Sequence, residues 1–329
     1  MAVNFLIPIV AVSVIVLAIV IDLLLGDPAP WNPWNRLYNL HPTVLMGKFT
    51  KALEHHFKNP NPKIEKLNGV FLALIVIVVF TVPTWLGLKL VFDFLGIIVY
   101  ALIAAFILKL TICIKLETDG AKGVVKALQA GDLTEAKKFA HFSRRDPRNL
   151  TGPQIGSAVI ESMAENLIDF KLSPLLSYAL FSVPGAIAFR AVNTLDGMVG
   201  FKDPEHINIG WFSANLDTVI NYIPTRLTAI LAVVAAANLG KDYSNAWAIA
   251  KRDHAKTPSR NHGWPMAAVA GALRIQLEKP GQYVLGDPTE ELSPNKIVDA
   301  LRIRDVTIVL WTLLILPILV LTSLYLFPF

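Results

Sequence analysis

The apolar residues of this chain fall in long runs rather than on one side of short helices. Four runs contain few charges, at residues 5–25, 67–80, 86–114 and 306–327. A helix needs roughly 20 consecutive apolar residues to cross the hydrocarbon core of a bilayer. The runs therefore predict membrane-spanning helices, with 67–80 and 86–114 as the two arms of a hairpin. Because the first run lacks the basic start and small-residue cleavage site of a secretory signal, we interpret it as a retained anchor.

Two shorter apolar segments, 172–189 and 227–239, flank a polar insert at 190–226. Either both segments span the bilayer or both are re-entrant or packed beneath other helices, and the pattern allows both arrangements. The stretch from 115 to 171 is polar, and its residues 122–129 and 133–142 predict a short helical hairpin. Asp132 is the expected N-cap of the second helix, with Glu135 at the spacing of a capping box.

These patterns predict an all-α integral membrane protein, a multi-span helical bundle with cytoplasmic helical loops and re-entrant or broken helices. An N-terminal membrane block of about three spans with a basic loop is expected at residues 1–114. A cytoplasmic helical section (115–171) and a membrane-embedded catalytic core with the polar insert (172–240) follow. A cytoplasmic loop section (241–305) and a C-terminal transmembrane helix (306–329) complete the chain.

Composition and charge placement support this assignment. Charged residues make up 17% of the chain and hydrophobic residues 54%, whereas globular domains carry about 25% charged residues. Lys and Arg cluster in three polar stretches, 36–66, 115–171 and 241–304, which the positive-inside rule places in the cytoplasm. We therefore expect a multi-pass protein of the cell membrane with its main loops in the cytoplasm. Cys113 is the single cysteine, which excludes an intrachain disulfide.

The most distinctive polar feature is an acidic stretch in which Glu161, Glu165 and Asp169 recur every four residues. On a helix these carboxylates drift by only about 40° per step and share one face. Like charges at this spacing destabilise an isolated helix by roughly 0.2–0.5 kcal/mol per pair. A divalent cation or a substrate amine among them would favour the arrangement, and Mg²⁺ prefers one or two carboxylates plus substrate phosphates. The alternative is the solvated face of a surface helix.

The polar insert carries acid and amide side chains directly beside apolar sequence. They are Asn193, Asp196, Asp217 and Asn221, followed by Arg226. Such groups are costly near lipid, which favours a functional interpretation. Capping and turn motifs are the alternative, with an Asp-Gly turn at 196–197.

Two further clusters are weaker signals. The loop at 254–264 contains Ser259 and Asn261, and a loop rich in donors suits phosphate or amide recognition. Asp27 and His41 follow the first apolar run. His41 could be a ligand, but a single histidine is more often structural. The sequence has no G-x-x-x-x-G-K-[ST] loop, no G-x-G-x-x-G and no G-x-S-x-G elbow. A nucleotide, if one is used, therefore binds outside the familiar soluble folds.

Several motifs, taken in order, resemble one family, the membrane-bound adenosylcobinamide-phosphate synthases of cobalamin biosynthesis. They are ESMAENLIDFKLSPL, RAVNTLDGMVGF, SANLDTVINYIPTRL and RNHGWPMAAVAGALRIQL, preceded by DLLLGDP, HPTVLMG and RRDPRNL. The similarity covers most of the chain, from about residue 22 to residue 283. It implies an amide ligation that joins aminopropanol, or its phosphate, to a carboxylate of adenosylcobyric acid, with ATP and Mg²⁺.

The resemblance also implies roles for the polar residues already named. The catalytic candidates are Glu161, Glu165, Asp196 and Asp217, and the metal candidates are Glu161, Glu165 and Asp169. The substrate-binding candidates are Asp27, His41, Arg145, Asp146, Asn166, Asn193, Asn221, Arg226, Ser259 and Asn261. Since ATP and corrinoid precursors are cytoplasmic, the insert at 190–226 is expected to face the cytoplasm. The expected partners are the corrinoid, the amine and membrane lipid but no nucleic acid, and a homo-oligomer or a complex with other cobalamin-pathway membrane enzymes is compatible with the sequence.

The chain departs from the family pattern at three places. Asp217-Thr218 stands where the family often has two acids, Ser259-Arg260-Asn261 where it often has Ser-Pro-Asn, and Glu278-Lys279 where a glycine pair is expected. The first departure weakens a two-carboxylate role at Asp217.

Other classes of protein fit less well. A CDP-alcohol phosphotransferase would need acids where this chain has Asn193 and Asn221. A corrinoid or ion transporter would need internal inverted repeats, and the sequence contains none that we detect. A structural membrane subunit would need neither the acidic stretch nor the polar insert.

Overall fold

The computed structural model describes residues 2–29, 33–138, 146 and 148–326, and nearly all of its regular structure is helical. The helices are α1 (Ala2–Leu25), α2 (Pro42–Phe57), α3 (Pro62–Lys109), α4 (Lys115–Gln129), α5 (Leu133–Lys138), α6 (Gly152–Leu167), α7 (Ser173–Val199), α8 (Trp211–Ile220), α9 (Tyr222–Asn238), α10 (Tyr243–Asp253), α11 (Gly263–Leu273) and α12 (Pro294–Leu326). Short 3-10 helices lie at Pro33–Leu40 and His254–Lys256, and one π-helical turn lies at Ile168–Leu172. Strands β1 (Leu277–Lys279) and β2 (Tyr283–Leu285) pair antiparallel.

The predicted all-α membrane fold is confirmed. In the described part of the chain, four helical stretches are long and apolar enough to cross a membrane: Leu6–Leu25, Pro62–Lys109, Gly152–Val199 and Pro294–Tyr325. A fifth is added if the bent pair α8 and α9 counts as one broken span or re-entrant loop. The alternatives that the sequence left open for the segment at 227–239 therefore stay open.

Helix α3 differs from the hairpin predicted for 67–80 and 86–114. The helix continues through residues 81–85, including Pro83, because a transmembrane helix tolerates proline where local groups re-satisfy the backbone. The non-helical residue is Gly96, with φ 80° and ψ 177°, a conformation open to glycine and strained for other residues. The break in this stretch thus lies inside the second predicted arm, not between the two arms.

The chain divides into two compact units. Unit 1 contains Met1–Lys115, Ser173–Ile220 and Leu314–Phe329. At Gly69, α3 packs closely against the turn segment before α8, where an added Cβ would lie 2.1 Å from the carbonyl oxygen of Ile209. Tyr178 of α7 donates a 2.9 Å hydrogen bond to the carbonyl oxygen of Ala11 in α1. Tight backbone approach of this kind is how helices associate in lipid, where no hydrophobic force joins them.

Unit 2 contains Leu116–Leu172 and Asn221–Leu313. Its core is rich in alanine. Helix α10 can lie close to α11 because residue 271 of α11 is glycine: a Cβ at Gly271 would lie 2.6 Å from the carbonyl oxygen of Asn245. Helix α6 begins at a capping box in which Thr151 and Gln154 satisfy each other's backbone N–H groups.

The predicted short helical hairpin is present as α4 and α5. Gly131 adopts φ 73° between the helices, and the Asp132 side chain accepts a 2.9 Å hydrogen bond from the backbone N–H of Glu135. The remainder of the second predicted helix, residues 139–142, lies outside the described residues. Residues 196–197 form no turn, since they lie inside α7. The turn interpretation of that Asp-Gly pair is wrong.

Candidate active site

A histidine joins two of the predicted carboxylates in unit 2. Nδ1 of His262 lies 3.3 Å from Oε1 of Glu165, and its Nε2 lies 3.3 Å from Oδ1 of Asp169. Glu165 is nearly half exposed, whereas Asp169 and His262 are mostly buried. We call these three residues the acid–histidine cluster. It presents two carboxylates and an imidazole at a partly open surface.

The π-helical turn after α6 places Asp169 in this cluster. A π turn inserts one extra residue into the helical repeat, and such turns occur frequently at functional sites. The turn carries Asp169 and also Lys171, which is fully buried. The extra residue rotates Asp169 about the helix axis relative to the α-helical residues before it. The four-residue spacing in the sequence does not reveal this rotation.

Arg226 of α9 contacts Asn261, the residue directly before His262 in its loop. Nη1 of Arg226 donates hydrogen bonds to Oδ1 of Asn261, at 3.0 Å, and to the carbonyl oxygen of Tyr222, at 2.7 Å. The guanidinium lies over the Tyr222 ring, 3.5 Å from its centroid. Within the described residues no carboxylate lies within 4.0 Å of this guanidinium. Its positive charge is therefore available to an anionic ligand.

The loop between α10 and α11 is held by local contacts. The hydroxyl of Ser259 accepts from the backbone N–H groups of Asn261 and His262, at 3.3 and 3.2 Å, so this candidate shapes the loop. His254 stacks on Trp264 with ring centroids 3.9 Å apart. Gly263 is required here because a Cβ would lie 2.0 Å from the carbonyl oxygen of His254.

Asp253 anchors the start of the same loop. The carboxylate is fully buried and contacts Arg252 at 2.7 Å, Lys256 at 2.6 Å and the N–H of Gly286 at 2.8 Å. Burial raises the pKa of Asp253, but these hydrogen bonds outweigh it and lower the pKa to about 2. The carboxylate is thus ionised at neutral pH and fixes the loop to β2.

A buried ion network lies beside the acid–histidine cluster in unit 2. Glu117 accepts from Lys171 and from Arg304, each at 2.9 Å, and from the Asn166 amide at 3.3 Å. Arg304 also contacts Asp305 at 2.7 Å. The predicted substrate residue Asn166 is therefore tied to this network through its side-chain amide.

Glu161 does not join the other two carboxylates of its predicted face. It is buried, and it accepts hydrogen bonds from Ser157 at 2.6 Å and from Tyr283 at 2.8 Å. Among the described residues, the three carboxylates predicted to share a metal are not a group whose ligand atoms lie within 4.8 Å of one another. Glu165 and Asp169 are instead joined through the ring of His262, which contacts one carboxylate at each nitrogen.

Asn221 is fully buried at the N-cap position of α9, and no side-chain capping hydrogen bond is made there. Asp146 is exposed and pairs with Arg148 at 2.6 Å; this hydrogen bond lowers the pKa of Asp146 to about 2. The prediction for Arg145 lies outside the described residues.

Unit 1 contains a separate polar group around a buried lysine. Lys109, at the end of α3, pairs with Asp27 and lies 3.5 Å from Asp22, while His41 lies 3.5 Å from Asp27. Burial raises the pKa of Asp27, but hydrogen bonds from His41 and Lys109 hold it below its usual value. Both Lys109 and His41 line a mainly apolar cavity of about 290 Å³. The two predicted residues Asp27 and His41 are thus brought together.

The remaining candidates in unit 1 lie on α7 and α8. Asn193 accepts a 2.8 Å hydrogen bond from the fully buried Arg190. Asp196 is half-buried near the end of α7, and Asp217 is buried in α8. Helices α7 and α8 pack together.

Sequence reasoning missed four basic side chains of the acid–histidine cluster, the ion network and the group around Lys109. Those residues are Lys109, Lys171, His262 and Arg304. A charged residue inside an apolar run is itself a signal of function or pairing, and Lys109 meets that criterion. His262 lies in the loop at 254–264, which was singled out for Ser259 and Asn261. Its partners Glu165 and Asp169 are about 95 residues away in the sequence.

Comparison with known proteins gives a consistent result. A family model described as CobD/Cbib protein matches residues 15–313. The "Probable cobalamin biosynthesis protein CobD" of Methanothermobacter thermautotrophicus is 39% identical over 302 residues, which cover 92% of this chain and 96% of that protein. The "Cobalamin biosynthesis protein CobD" of Dehalococcoides mccartyi is 34% identical over 305 residues, which cover 92% and 95%. No solved structure matches this chain.

Proposed function

Because this chain belongs to the CobD/Cbib protein family, it acts in cobalamin biosynthesis, and we propose that it is an ATP-dependent amide ligase of that pathway. The proposed reaction joins aminopropanol, or its phosphate, to a carboxylate of adenosylcobyric acid. The product is adenosylcobinamide or its phosphate.

The proposed chemistry has two steps. The corrinoid carboxylate attacks the γ-phosphorus of ATP, ADP leaves, and an acyl phosphate forms. The amine nitrogen then attacks the acyl carbon, inorganic phosphate leaves, and the nitrogen gives up a proton. The first step needs positive groups around the phosphates, and the second needs a base within hydrogen-bond reach of the amine.

The acid–histidine cluster beside Arg226 is the observation that carries this proposal. Glu165 and Asp169 suit Mg²⁺, because this ion prefers hard oxygen ligands and takes one or two carboxylates together with substrate phosphates. In the proposed enzyme the carboxylates of Glu165 and Asp169, which lie at the two nitrogens of the His262 ring, are the candidate ligands of Mg²⁺. The ion when bound would neutralise charge on the phosphates.

Arg226 and its neighbours are proposed to bind the phosphates of ATP. A guanidinium presents a planar fork of donors that matches phosphate oxygens, and Arg226 has an amide and a carbonyl as hydrogen-bond partners. The indole N–H of Trp264 is buried without a hydrogen-bond partner among the described residues. Buried donors are normally satisfied, so this N–H suits a ligand acceptor next to Arg226.

We assign the removal of the ammonium proton to His262. Imidazole exchanges a proton near neutral pH, and the carboxylates on both ring nitrogens fix the plane of the ring. The proposed base is thus a residue outside the four catalytic candidates named from the sequence. Glu161 supports the site from behind, through Ser157 and Tyr283.

Asp196 and Asp217 are retained as proposed catalytic residues. The other candidates are retained as proposed substrate contacts. They are Asp27, His41 and Asn193 in unit 1, and Asp146, Asn166, Asn221, Ser259 and Asn261 in unit 2. We also propose that residues 190–226 face the cytoplasm, where ATP and the corrinoid are found. Modification of a single cysteine introduced at Lys202 by a membrane-impermeant reagent from the outer face of intact cells would contradict that orientation.

Detergent-purified protein incubated with adenosylcobyric acid, Mg-ATP and either aminopropanol or its phosphate tests the reaction. Chromatography with mass detection is expected to give a product heavier than the corrinoid by the amine less water, together with ADP. The amine that reacts identifies the acceptor. Well-folded protein that forms no product and hydrolyses no ATP with either amine would contradict the proposal.

A further inference from the structure

A second group of metal-ligating side chains lies in unit 1, apart from any residue used above. Glu54 of α2 lies beside Glu205 and His206 in the segment between α7 and α8. One ligand atom from each lies within 4.8 Å of the other two. No other group of three His, Cys, Asp or Glu side chains in the described chain meets this distance.

The orientation of His206 is fixed by a carboxylate behind it. Both carboxylate oxygens of Asp203 contact Nδ1 of His206, at 2.8 and 3.0 Å, and the backbone N–H groups of Glu205 and His206 donate to the same side chain. Because Nδ1 donates to the Asp203 carboxylate, the lone pair of a neutral imidazole is on Nε2. Metal-binding histidines are held in this way, with the outer nitrogen bonded to a carboxylate.

Nε2 of His206 faces Oε1 of Glu54 at 3.3 Å. A lone pair and a carboxylate oxygen repel each other unless a positive charge lies between them. Two ligands of a tetrahedral Zn²⁺ ion, each at about 2.0–2.1 Å from the metal, are separated by about 3.3–3.4 Å. The observed distance is therefore that of two ligands on one ion, with the Glu205 carboxylate within reach of the same point.

The charge of the group also matches a divalent cation. The group contains three carboxylates, those of Glu54, Asp203 and Glu205, and one ammonium. That ammonium is Lys58, which lies 3.3 Å from Oε1 of Glu54 and donates to the carbonyl oxygen of Glu205. With a neutral imidazole the group carries two excess negative charges. Glu54 and His206 are 15% and 18% exposed, so an ion can reach them without unfolding.

We propose that Glu54, Glu205 and His206 form a site for a divalent transition-metal ion with affinity for nitrogen and oxygen, Zn²⁺ in the first instance. Mg²⁺ is excluded as the main occupant because it prefers oxygen ligands, whereas imidazole selects Zn²⁺ and related ions. The bound ion joins α2 to the segment that leads into α8. It thereby fixes the start of the helix that carries Asp217.

Zinc titration of the metal-stripped, detergent-purified protein tests this site. The titration uses a chromophoric chelator as competitor and excess Mg²⁺. It is made in a His262→Gln background, which removes the imidazole of the acid–histidine cluster. One tight ion per chain is expected. His206→Gln and Glu54→Gln should abolish tight binding, and Asp203→Asn should weaken it by about 10- to 100-fold.

His56→Gln is the matched control, because His56 is an exposed histidine on the same helix as Glu54. It should bind Zn²⁺ as the parent does. Zinc should also raise the thermal unfolding temperature of the parent and of His56→Gln but not of His206→Gln. If His206→Gln fails to fold, Glu205→Gln and Asp203→Asn take its place in the titration. Zinc affinity that is unchanged in the site variants, lowered equally in His56→Gln, or absent from the parent would overturn the proposal.

Discussion

Replacing Glu117 by glutamine should destabilise unit 2 more than any other single isosteric change in its ion network. Glu117 is buried and is the shared partner of Lys171 and Arg304, which are 0% and 3% exposed. Glutamine keeps the shape and one acceptor oxygen but removes the negative charge. Among the described residues, Lys171 then keeps the carbonyl oxygen of Asn166 as a hydrogen-bond acceptor but no carboxylate, while Arg304 keeps Asp305. Breaking a buried ion pair by removing one partner costs about 3–5 kcal/mol.

The free energy of unfolding in mixed detergent micelles, measured for wild type and Glu117→Gln, checks this value. Asp119→Asn is the matched control, because Asp119 is an exposed carboxylate on the same helix, and its effect should be within about 0.5 kcal/mol. Adding Lys171→Met to Glu117→Gln should recover part of the loss, so that the double variant is less destabilised than the sum by about 0.5–3 kcal/mol. A loss below about 1 kcal/mol for Glu117→Gln, or strict additivity, would refute the reasoning.

Three further outcomes follow from individual contacts. Gly69→Ala should destabilise the protein by about 1–3 kcal/mol, because its Cβ would lie 2.1 Å from the Ile209 carbonyl oxygen. Gly87→Ala should not destabilise it, because Gly87 has open space around it. Thermal unfolding in detergent compares the two variants. The folded-state pKa of Asp253 is lowered to about 2, so its carboxylate adds about 2 kcal/mol to the free energy of unfolding at every pH above about 4. This contribution is lost as the pH falls toward 2. Asp253→Asn should remove that part of the pH dependence, and an unchanged stability–pH curve would contradict the assignment. Arg226→Lys should raise the KM for ATP by roughly tenfold, about 1.4 kcal/mol, with a smaller effect on kcat. The reason is that lysine keeps the charge but loses the fork of donors. Equal KM values for ATP in wild type and variant, measured by steady-state kinetics, would count against the phosphate role of Arg226.

Sequence patterns predicted the membrane helices because apolar length alone determines whether a helix can span a bilayer. They predicted the helix start at Asp132 because a cap is a local interaction. The break at Gly96 was not predicted, since proline and the polar residues near 81–85 gave a stronger break signal than a single glycine.

The sequence predicted several residues of the candidate site but not how they are arranged. Glu165 and Asp169 were named from their spacing, and the structure joins them through His262. The same spacing placed Glu161 on one face with them, and the structure shows Glu161 accepting a hydrogen bond from Tyr283. Such contacts join residues about 95 to 120 positions apart, and a helical period carries no information about them.

Product formation by variants of the acid–histidine cluster tests the central claim most directly. Purified wild type, Asp169→Asn and His262→Gln would each be given adenosylcobyric acid, ATP and the reactive amine across a Mg²⁺ titration, with the condensed corrinoid measured by mass. The account predicts that Asp169→Asn needs more Mg²⁺ for half-maximal rate, and that His262→Gln loses about 10²–10⁴-fold in rate, as expected for removal of a general base. Wild-type rates and Mg²⁺ dependence in both variants would contradict it.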